Sequence, residues 1–454
     1  MLDRFSRVLF TAVLLFMAVY LAWYGYCRKQ VAAGNLEFQA ESSFAEFFPQ
    51  PLQLRGNLAY YGEMDPVMAA EYFREAIAVQ PITIDAWLSL AQMELAMGRM
   101  DEARRLLGIV SPLIPHVSTW KWKQFALAGE TRDEELFIHC YNFILSRLPA
   151  RVGEASFLAA TYWGGWDRVL PHVAPENHTV FLEQLMRHGQ LDVALDLWRI
   201  IQEREAQSRL YVEQGAAGSV AQASSAGTNR PANPSSSGNG SSTEESPPGI
   251  PDEQLKLRFC SALLADGRIS EAKRVWKGIV DEENPVHDGG FESEPLNMAF
   301  GWRFARSTEV SISRSKEMPV AGDYALKLRF NGTKNVVFGH VSQVVPVEPG
   351  QSYILSFFQR SREITTDQGV FIRVSGFQCE GLQAETQPVT GTIPWTQEDL
   401  LVEVPEGCEA MLLQVRRKES LKLNNKIAGD FWLDFFRLNP VAKSPTGDGY
   451  IGGR

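Results

Sequence analysis

The chain has 454 residues, of which 45% are hydrophobic and 22% are charged, and its formal net charge is −10. This length allows two or three domains with sizeable cores, and the composition is ordinary for folded protein. The negative charge argues against a nucleic-acid-binding protein, because phosphate contacts need a basic face.

The first predicted element is a membrane-spanning helix over Val8–Tyr26, a run of 19 residues without a charged side chain. About 20 apolar residues suffice to cross a bilayer as a helix. A cleaved signal peptide is the alternative, but the apolar core of a signal peptide usually has about 7–15 residues. We therefore expect residues 1–30 to form an N-terminal tail and a retained single-pass anchor.

The orientation of this anchor does not follow from its flanking charges. Arg4 and Arg7 precede the apolar run, and Arg28 and Lys29 follow it, so basic residues are balanced across the span. The short N-terminal tail favours export of the rest of the chain, to the periplasmic side if the protein is bacterial.

Three prolines mark a repeat, since Pro81, Pro115 and Pro149 lie 34 residues apart, twice over. Each follows a helix-like segment that ends in apolar residues. One helix-turn-helix unit with its connecting turn occupies about 34 residues in helical repeat arrays. We therefore predict an α-helical solenoid over residues 36–214 and a last helical repeat over residues 252–285.

The best unit, Ile84–Pro115, resembles the tetratricopeptide repeat. The residues that carry the resemblance are Trp87, Leu90, Ala91, Gly98 and Ala103. Two helices approach closely only where a small side chain faces a large one, and a glycine ends the first helix in a conformation that other residues resist. The resemblance implies antiparallel helix pairs that stack into a scaffold for a protein partner.

In this family, fixed places on the first helix of each pair line a concave groove. Carried onto this sequence, the resemblance gives these groove residues: Leu54, Leu58, Tyr61, Asp85, Leu88, Gln92, Leu95 and Trp122. Such largely apolar side chains suit an apolar segment or a helix of a partner. Alternatively, they cover a neighbouring helix, the linker or the C-terminal domain.

A stretch at residues 215–251 is rich in Ser, Gly, Asn and Pro and almost free of large apolar residues. It cannot bury enough surface to offset the entropy of ordering its backbone. We predict a disordered insertion here and a flexible tail over residues 441–454.

The pattern changes to β-strand alternation from about residue 288. Seven short runs rich in Val, Phe and Tyr are separated by Gly or Pro turns: Tyr324–Phe330, His340–Val347, Tyr353–Gln359, Val370–Phe377, Leu400–Val404, Ala410–Arg416 and Phe431–Leu438. Strands at this spacing predict an antiparallel β-sandwich over residues 288–440. Cys379 and Cys408 fall within it, either as a disulfide or as two buried thiols.

Several stretches of this domain resemble the jelly-roll carbohydrate-binding modules attached to many glycoside hydrolases. They are Gly290–Glu292, Gly322–Leu326, Pro349–Tyr353 and Asp430–Asp434. The resemblance implies a β-sandwich that binds glycan, or one that packs against protein. Sugars are held by aromatic faces and nearby polar groups, and the candidates are Trp302, Phe304, Phe338 and Trp432 for stacking and Gln343, Gln359, Arg360 and Arg373 for hydrogen bonds.

The same resemblance implies a structural calcium ion. Glu292 and Asp434 match positions that help to hold such an ion in this family, and carboxylate oxygens are ligands that calcium prefers. We expect no other cofactor.

The sequence contains no phosphate-binding glycine loop and no His-Glu-X-X-His or Cys-X-X-Cys motif, and its seven histidines are scattered. We therefore expect no enzyme. The leading interpretation is a membrane-anchored protein-interaction scaffold of the cell envelope, in exopolysaccharide assembly or export, whose β-sandwich contacts glycan or protein. A glycan-binding receptor with the repeats as a spacer is the alternative, and a cryptic polysaccharide hydrolase is a third reading.

Overall fold

The structure is a computed structural model that describes residues 2–33, 48–223 and 250–442. Three predicted segments lie partly outside these residues. They are most of the insertion expected at residues 215–251, residues 36–47 of the expected solenoid and residues 443–454 of the expected tail. The chain separates into two compact units, which meet in the sequence near residue 250.

The first helix of the first unit, α1, spans Leu2–Ala32 and contains the predicted membrane span. Its segment Thr11–Gln30 is long and apolar enough to cross a membrane, by length and composition alone. A signal sequence meets the same criterion, so the helix is a membrane anchor or a signal sequence. Near its end, the Tyr24 ring lies 5.4 Å from the ring of Phe48.

The other described elements of the first unit are also helices. Its helices are α2 Pro49–Tyr61, α3 Pro66–Val79, α4 Ile84–Ala96, α5 Met100–Val110, α6 Ser118–Thr131, α7 Glu134–Arg147, α8 Val152–Trp163, α9 Trp166–Val169, α10 His178–Arg187 and α11 Leu191–Ala223. Consecutive helices pack in pairs, α2 on α3, α4 on α5, α6 on α7 and α10 on α11. Helix α11 continues into the first residues of the expected insertion.

Small residues lie where the helices approach closely, as the repeat pattern predicts. Ala91 on α4 and Ala103 on α5 are fully buried, and Gly98 between these helices has φ +77°, which favours glycine. In the next helix pair, α6 and α7, the large and the small residue have exchanged places. Phe137 on α7 fills the place expected for a small residue, and Gly129 on α6 faces it, where an added Cβ would lie 3.2 Å from the phenyl ring.

Within its described residues, the second unit combines two helices with ten strands. Its elements are α12 Glu253–Ala265, α13 Ile269–Lys277, β1 Arg303–Phe304, β2 Val310–Ser315, β3 Ala325–Asn331, β4 Phe338–Pro346, β5 Ser352–Ile364, β6 Phe371–Gly376, β7 Gln383–Glu385, β8 Gly391–Glu403, β9 Ala410–Arg417 and β10 Ala428–Pro440. Helices α12 and α13 belong to the same compact unit as the strands, whereas the sequence grouped them with the repeats.

The strands form two antiparallel five-stranded sheets. Sheet A has the order β1-β4-β9-β6-β7, and sheet B has the order β2-β3-β10-β5-β8. Consecutive strands alternate between the sheets over most of the chain, which is the jelly-roll arrangement. The predicted antiparallel β-sandwich is therefore confirmed.

The core lies between the sheets. Alternate residues of each strand point into it, among them Val341, Val345, Phe357, Leu413 and Phe431. Burial of one such side chain contributes about 1.5–3 kcal/mol to folding. The intervening residues of each strand lie on the outer faces of the sandwich.

A disulfide joins Cys379, after β6, to Cys408, before β9, with 5.4 Å between their Cα atoms. This settles the choice that the sequence left open between a disulfide and two buried thiols. The remaining cysteines, Cys27, Cys140 and Cys260, are buried and free.

Candidate functional site

The outer face of sheet A follows from the alternation of its strands. Since Val341 and Val345 of β4 enter the core, Ser342 and Val344 lie on the outer side. The register places Gln414 of β9 opposite both Ser342 of β4 and Arg373 of β6. A continuous row of polar side chains therefore crosses the middle of this face.

Helices α12 and α13 cover one end of this face. Ser270 Oγ donates to Glu409 Oε2 over 2.6 Å, and Gln378 Nε2 donates to the Leu264 carbonyl oxygen over 3.1 Å. Both contacts lie where β9 begins and β6 has just ended. At the same end, Ala410 is fully buried although its side chain lies on the outer face. This end of the sheet is therefore not available to a ligand.

The other end of the face is open, and we call it the open half of sheet A. It carries His340 and Ser342 of β4, Arg373 and Ser375 of β6, Glu385 of β7, Gln414 and Arg416 of β9 and, just after β9, Lys418. These side chains are all polar, and the apolar Val344, Phe371 and Leu412 of the same face are buried or half-buried beside them. The polar side chains offer hydroxyl, amide, imidazole, carboxylate and guanidinium groups for hydrogen bonds to a ligand.

The charges of the open half are unequally paired. Glu385 accepts from Lys418 Nζ over 2.9 Å, and its other oxygen lies 3.6 Å from Arg373 Nε. Arg416 has no ion-pair partner among the described residues. Its guanidinium lies over Gly339, where an added Cβ would be 3.2 Å from Nη1, so a glycine makes room for this cation.

Two further atoms of the open half have no hydrogen-bond partner. They are His340 Nδ1 and Arg373 Nε, both shielded from solvent. Buried polar atoms are usually satisfied, and those that are not require an explanation. Here, unsatisfied atoms and an unpaired cation lie on one face.

The predicted stacking residues do not form a sugar platform. Trp302, Phe338 and Trp432 are at most 2% exposed, and Phe304 packs against the core cluster. The assignments of Trp302, Phe338 and Trp432 are corrected, because a buried ring cannot stack on a sugar, whereas that of the half-buried Phe304 stays a prediction. Trp432 lies on the outer side of sheet B, where the cations of Lys327, Arg360 and Arg362 cover it at 4.8, 4.8 and 5.2 Å from its centroid.

The predicted polar residues are divided between different environments. Gln343 and Gln359 are buried, and Gln343 Nε2 donates to the His287 carbonyl oxygen. Arg360 covers Trp432, and only Arg373 lies in the open half. His340, Arg416 and Lys418 were missed, although the alternation of Leu413, Val415 and Arg417 with polar residues along β9 could have identified Arg416.

The predicted groove residues of the helical unit differ widely in exposure. Leu58 and Tyr61 are 51% and 67% exposed, and Asp85 is exposed and accepts from Trp120 Nε1 over 2.7 Å. Leu88 is 0% exposed and belongs to the core, so its assignment to an open groove is corrected. The half-buried members are Leu54, Gln92, Leu95 and Trp122.

The carboxylates of the predicted calcium site meet beside Gly290. A Cβ added at Gly290 would lie 3.7 Å from Glu292 Oε1 and 3.9 Å from Asp434 Oδ1. Asp434 is fully buried, its Oδ2 accepts from the backbone of Val320 and Ala321, and its Oδ1 has no partner. Burial raises the pKa of Asp434, and the charge of Glu292 raises it further.

This pair fits a hard cation, since a buried carboxylate oxygen lacks a partner and a second carboxylate is close. No group of three or more His, Cys, Asp or Glu side chains that could hold a metal occurs within the described ranges. Further ligands would therefore be backbone carbonyls or water.

A cavity of about 890 Å³ lies elsewhere in the second unit, between α13 and the last part of β10. Its walls mix both signs of charge, with Lys273 paired to Glu348 over 2.7 Å. The side chain of Asn284 bonds to Phe436 O and Leu438 N on the edge that the last part of β10 presents beyond its pairing with β3. That edge is thereby protected from strand addition.

Comparison with protein-family models gave no match, and no curated protein matches the sequence. Solved structures do match. A family 16 carbohydrate-binding module has 18% identity and a TM-score of 0.25, with 34% of this chain and 99% of that chain covered. TmCBM61 in complex with β-1,4-galactotriose has 18% identity and a TM-score of 0.25, with 35% and 98% covered.

An arabinose-bound α-L-arabinofuranosidase, MgGH51, matches with 14% identity and a TM-score of 0.26, and the match covers 34% of this chain and 26% of that enzyme. Identities and TM-scores this low carry no residue role or ligand to this chain.

Proposed function

We propose that this protein is a non-catalytic, membrane-anchored binding protein whose β-sandwich contacts a glycan through the open half of sheet A. The observation that carries the proposal is the composition of that surface. Hydroxyl, amide, imidazole and guanidinium groups lie side by side on the sheet, and His340 Nδ1 and Arg373 Nε have no hydrogen-bond partner in the protein. Sugar hydroxyls supply the complementary donors and acceptors.

The Cys379–Cys408 disulfide supports an exported location for the second unit. Disulfides persist in oxidising compartments and are rare where thiols are kept reduced. Together with the apolar helix α1, the disulfide favours a chain held at the outer side of a membrane, where extracellular or envelope polysaccharide is available.

A glycan-retention assay tests the proposal. The full chain in detergent is run through gels that contain one polysaccharide of a panel, both neutral and acidic. We expect Ser342→Trp to abolish retention, because an indole in the middle of the open half blocks access to Arg373 and Gln414. Ser311→Trp on the outer side of sheet B is the matched control, with unchanged retention. If the wild type is retained by no polysaccharide of the panel, the glycan-binding proposal fails.

A second function is proposed for the helical unit, which would stack as tetratricopeptide-type pairs and bind a protein partner of the envelope, in polysaccharide assembly or export. The supporting observation is a set of exposed apolar side chains on α2, on α3 and in the turn between them, namely Leu58, Tyr61, Met64, Val67 and Met68. An exposed apolar group of this kind marks an interaction site more often than chance.

Site-specific photo-crosslinking checks this second function. A photoreactive residue at position 61 is expected to give one discrete crosslinked species in intact cells. The same residue at position 101, where Asp101 is exposed and charged, is expected to give none. Equal crosslinking patterns from both positions would contradict a specific site at the turn between α2 and α3.

We also propose that Glu292 and Asp434 hold a structural calcium ion. Because the pKa of Asp434 is raised in the folded state, this group favours folding below its unfolded pKa, and that contribution is lost as the pH rises through its folded pKa. Asp434→Asn is therefore expected to raise the melting temperature in EDTA.

In calcium we expect the opposite, with the wild type melting at a higher temperature than Asp434→Asn. An ion present at 100 times its dissociation constant stabilises the wild type by about 2.7 kcal/mol and leaves the variant unchanged. Thermal unfolding in EDTA, in calcium and in magnesium measures both effects. A wild type that is indifferent to calcium would contradict the proposal.

A further inference from the structure

We infer that the glycan bound by the open half of sheet A carries carboxylate groups, as in a uronic-acid polymer, and that Arg373 and Arg416 bind those carboxylates. This inference rests on the proposed glycan-binding function and specifies its ligand class. Three observations on the open half carry it: the excess of positive charge, the spacing of the two arginines, and the lack of an exposed aromatic ring on which a sugar could stack.

The open half is positively charged although the chain is not. Arg373, Arg416 and Lys418 face a single carboxylate, Glu385, which both Arg373 and Lys418 approach. The whole chain has a net charge of −10. An excess of cations on one sheet face attracts an anionic ligand, and only one carboxylate on that face competes for them.

The two guanidinium groups lie on adjacent strands. Arg416 of β9 is opposite Phe371 of β6, and Gln414 is opposite Arg373, so the two arginines are diagonal neighbours on the same face. Diagonal positions on adjacent strands are about 7–8 Å apart. Both cations are thus within reach of one or two neighbouring sugar units, and guanidinium forms bidentate bonds with carboxylate.

Neutral sugars are usually held by aromatic rings, which this surface does not present. Within the described residues of the open half, the one phenyl ring is Phe371, which is buried beneath Lys418 Nζ at 4.9 Å from its centroid. Without stacking, affinity for a sugar chain has to come from hydrogen bonds and charge. Charge is the stronger contribution for groups that are partly shielded from water.

The test compares polymers that differ only in charge. The full chain in detergent is titrated with polygalacturonate and with highly methyl-esterified polygalacturonate, and also with alginate and hyaluronate. We expect binding to at least one of the three polyuronates, with affinity falling as NaCl rises from 50 to 200 mM. For polygalacturonate we expect esterification to weaken binding at least about tenfold, because the ester removes the carboxylate charge.

Variants locate the binding to the two arginines. Arg373→Ser and Arg416→Ser are each expected to weaken polyuronate binding about tenfold or more, as is Arg416→Gln, which keeps a long polar side chain. Arg437→Ser is the charge-matched control, since this arginine lies at the cavity beside β10 and not in the open half. Unchanged melting temperatures show that the variants fold.

The outcomes separate this inference from the function on which it rests. Retention by neutral polymers alone, lost in Ser342→Trp, keeps the glycan-binding function and rejects the acidic ligand. Polyuronate binding that depends on Arg437 and not on Arg373 or Arg416 rejects the site. Absence of binding to every polymer rejects both.

Discussion

Replacing Arg417 with leucine is expected to destabilise the second unit by about 3–5 kcal/mol. The guanidinium of Arg417 is fully buried, and its removal would leave its hydrogen-bond acceptors unpaired. Arg417 is the last residue of β9 and reaches into the loops at the open end of the β-sandwich. Its guanidinium donates to the carbonyl oxygens of Val336, Gln368 and Asn425 and to the side chains of Asn335 and Thr366.

The hydrogen bond to the Val336 carbonyl oxygen is buried and those to the Gln368 and Asn425 carbonyl oxygens are partly buried, so these acceptors lose a partner that water does not fully replace in the variant. Each unsatisfied buried polar group costs about 1–3 kcal/mol. A domain is stable by only about 5–15 kcal/mol, so the loss is a large part of the total. Leucine also leaves a void where the guanidinium was, which adds to the loss.

Scanning calorimetry of the full chain in detergent measures the effect. The transition of the second unit is identified as the one that shifts when the Cys379–Cys408 disulfide is reduced. Arg416→Leu is the control, since the neighbouring arginine is partly exposed and without an ion-pair partner among the described residues. It is expected to change stability by less than about 0.5 kcal/mol. Equal losses in the two variants would show that the hydrogen-bond network of Arg417 does not stabilise the fold.

The sequence predicted the strands well where they are long and apolar. All seven runs correspond to strands, namely β3, β4, β5, β6, β8, β9 and β10. Strands β1 and β7 have two and three residues, too short for alternation to emerge. Strand β2 was missed, although Val310 and Ile312 alternate with serines along Val310–Ser315, a period-two pattern that could have identified it.

The placement of helices α12 and α13 could not be predicted from their pattern. A helix pair with buried Leu263 and Ala272 shows the same periodicity whether it packs on another helix pair or on a sheet. The partner surface is set by side chains far away in the sequence, such as Glu409 and Gln378, which bond to this pair. As a result, α12 and α13 cover one end of the outer face of sheet A, which the sequence did not predict.

The candidate site was predicted only in part for a related reason. An aromatic residue can fill the core or stack on a sugar, and the sequence alone does not distinguish these two roles. Trp302 donates from its indole to the Asp288 carbonyl oxygen and fills the core. Arg373 was identified, and the alternation along β9 could have identified Arg416. That the two arginines are neighbours depends on the register of β9 against β6, which becomes visible only in the structure.

Loss of the Cys379–Cys408 disulfide is expected to destabilise the second unit by roughly 3.5 kcal/mol. The two cysteines are 29 residues apart in sequence, and the chain-entropy account of disulfides gives this value for a loop of that length. The bridge ties the end of β6 to the start of β9, the strands that carry Arg373 and Arg416. For a unit of this size the melting temperature is expected to fall by about 10 °C.

Calorimetry with and without reductant tests this expectation. A variant with both Cys379→Ala and Cys408→Ala is expected to melt at the temperature of the reduced wild type and to ignore reductant. Cys140→Ala and Cys260→Ala leave the bridge in place, so these variants are expected to keep the response to reductant. A wild type whose melting is indifferent to reductant would contradict a stabilising role.

The same bridge reports on which side of the membrane the β-sandwich lies. In cells, a full chain whose second unit is exported is expected to run oxidised on a non-reducing gel and to resist thiol alkylation at Cys379 and Cys408 until it is reduced and unfolded. A chain that lacks residues 1–32 stays in the reducing cytosol and is expected to have both thiols free. If the full chain also has both thiols free, the β-sandwich is not exported, and its access to an extracellular glycan is ruled out.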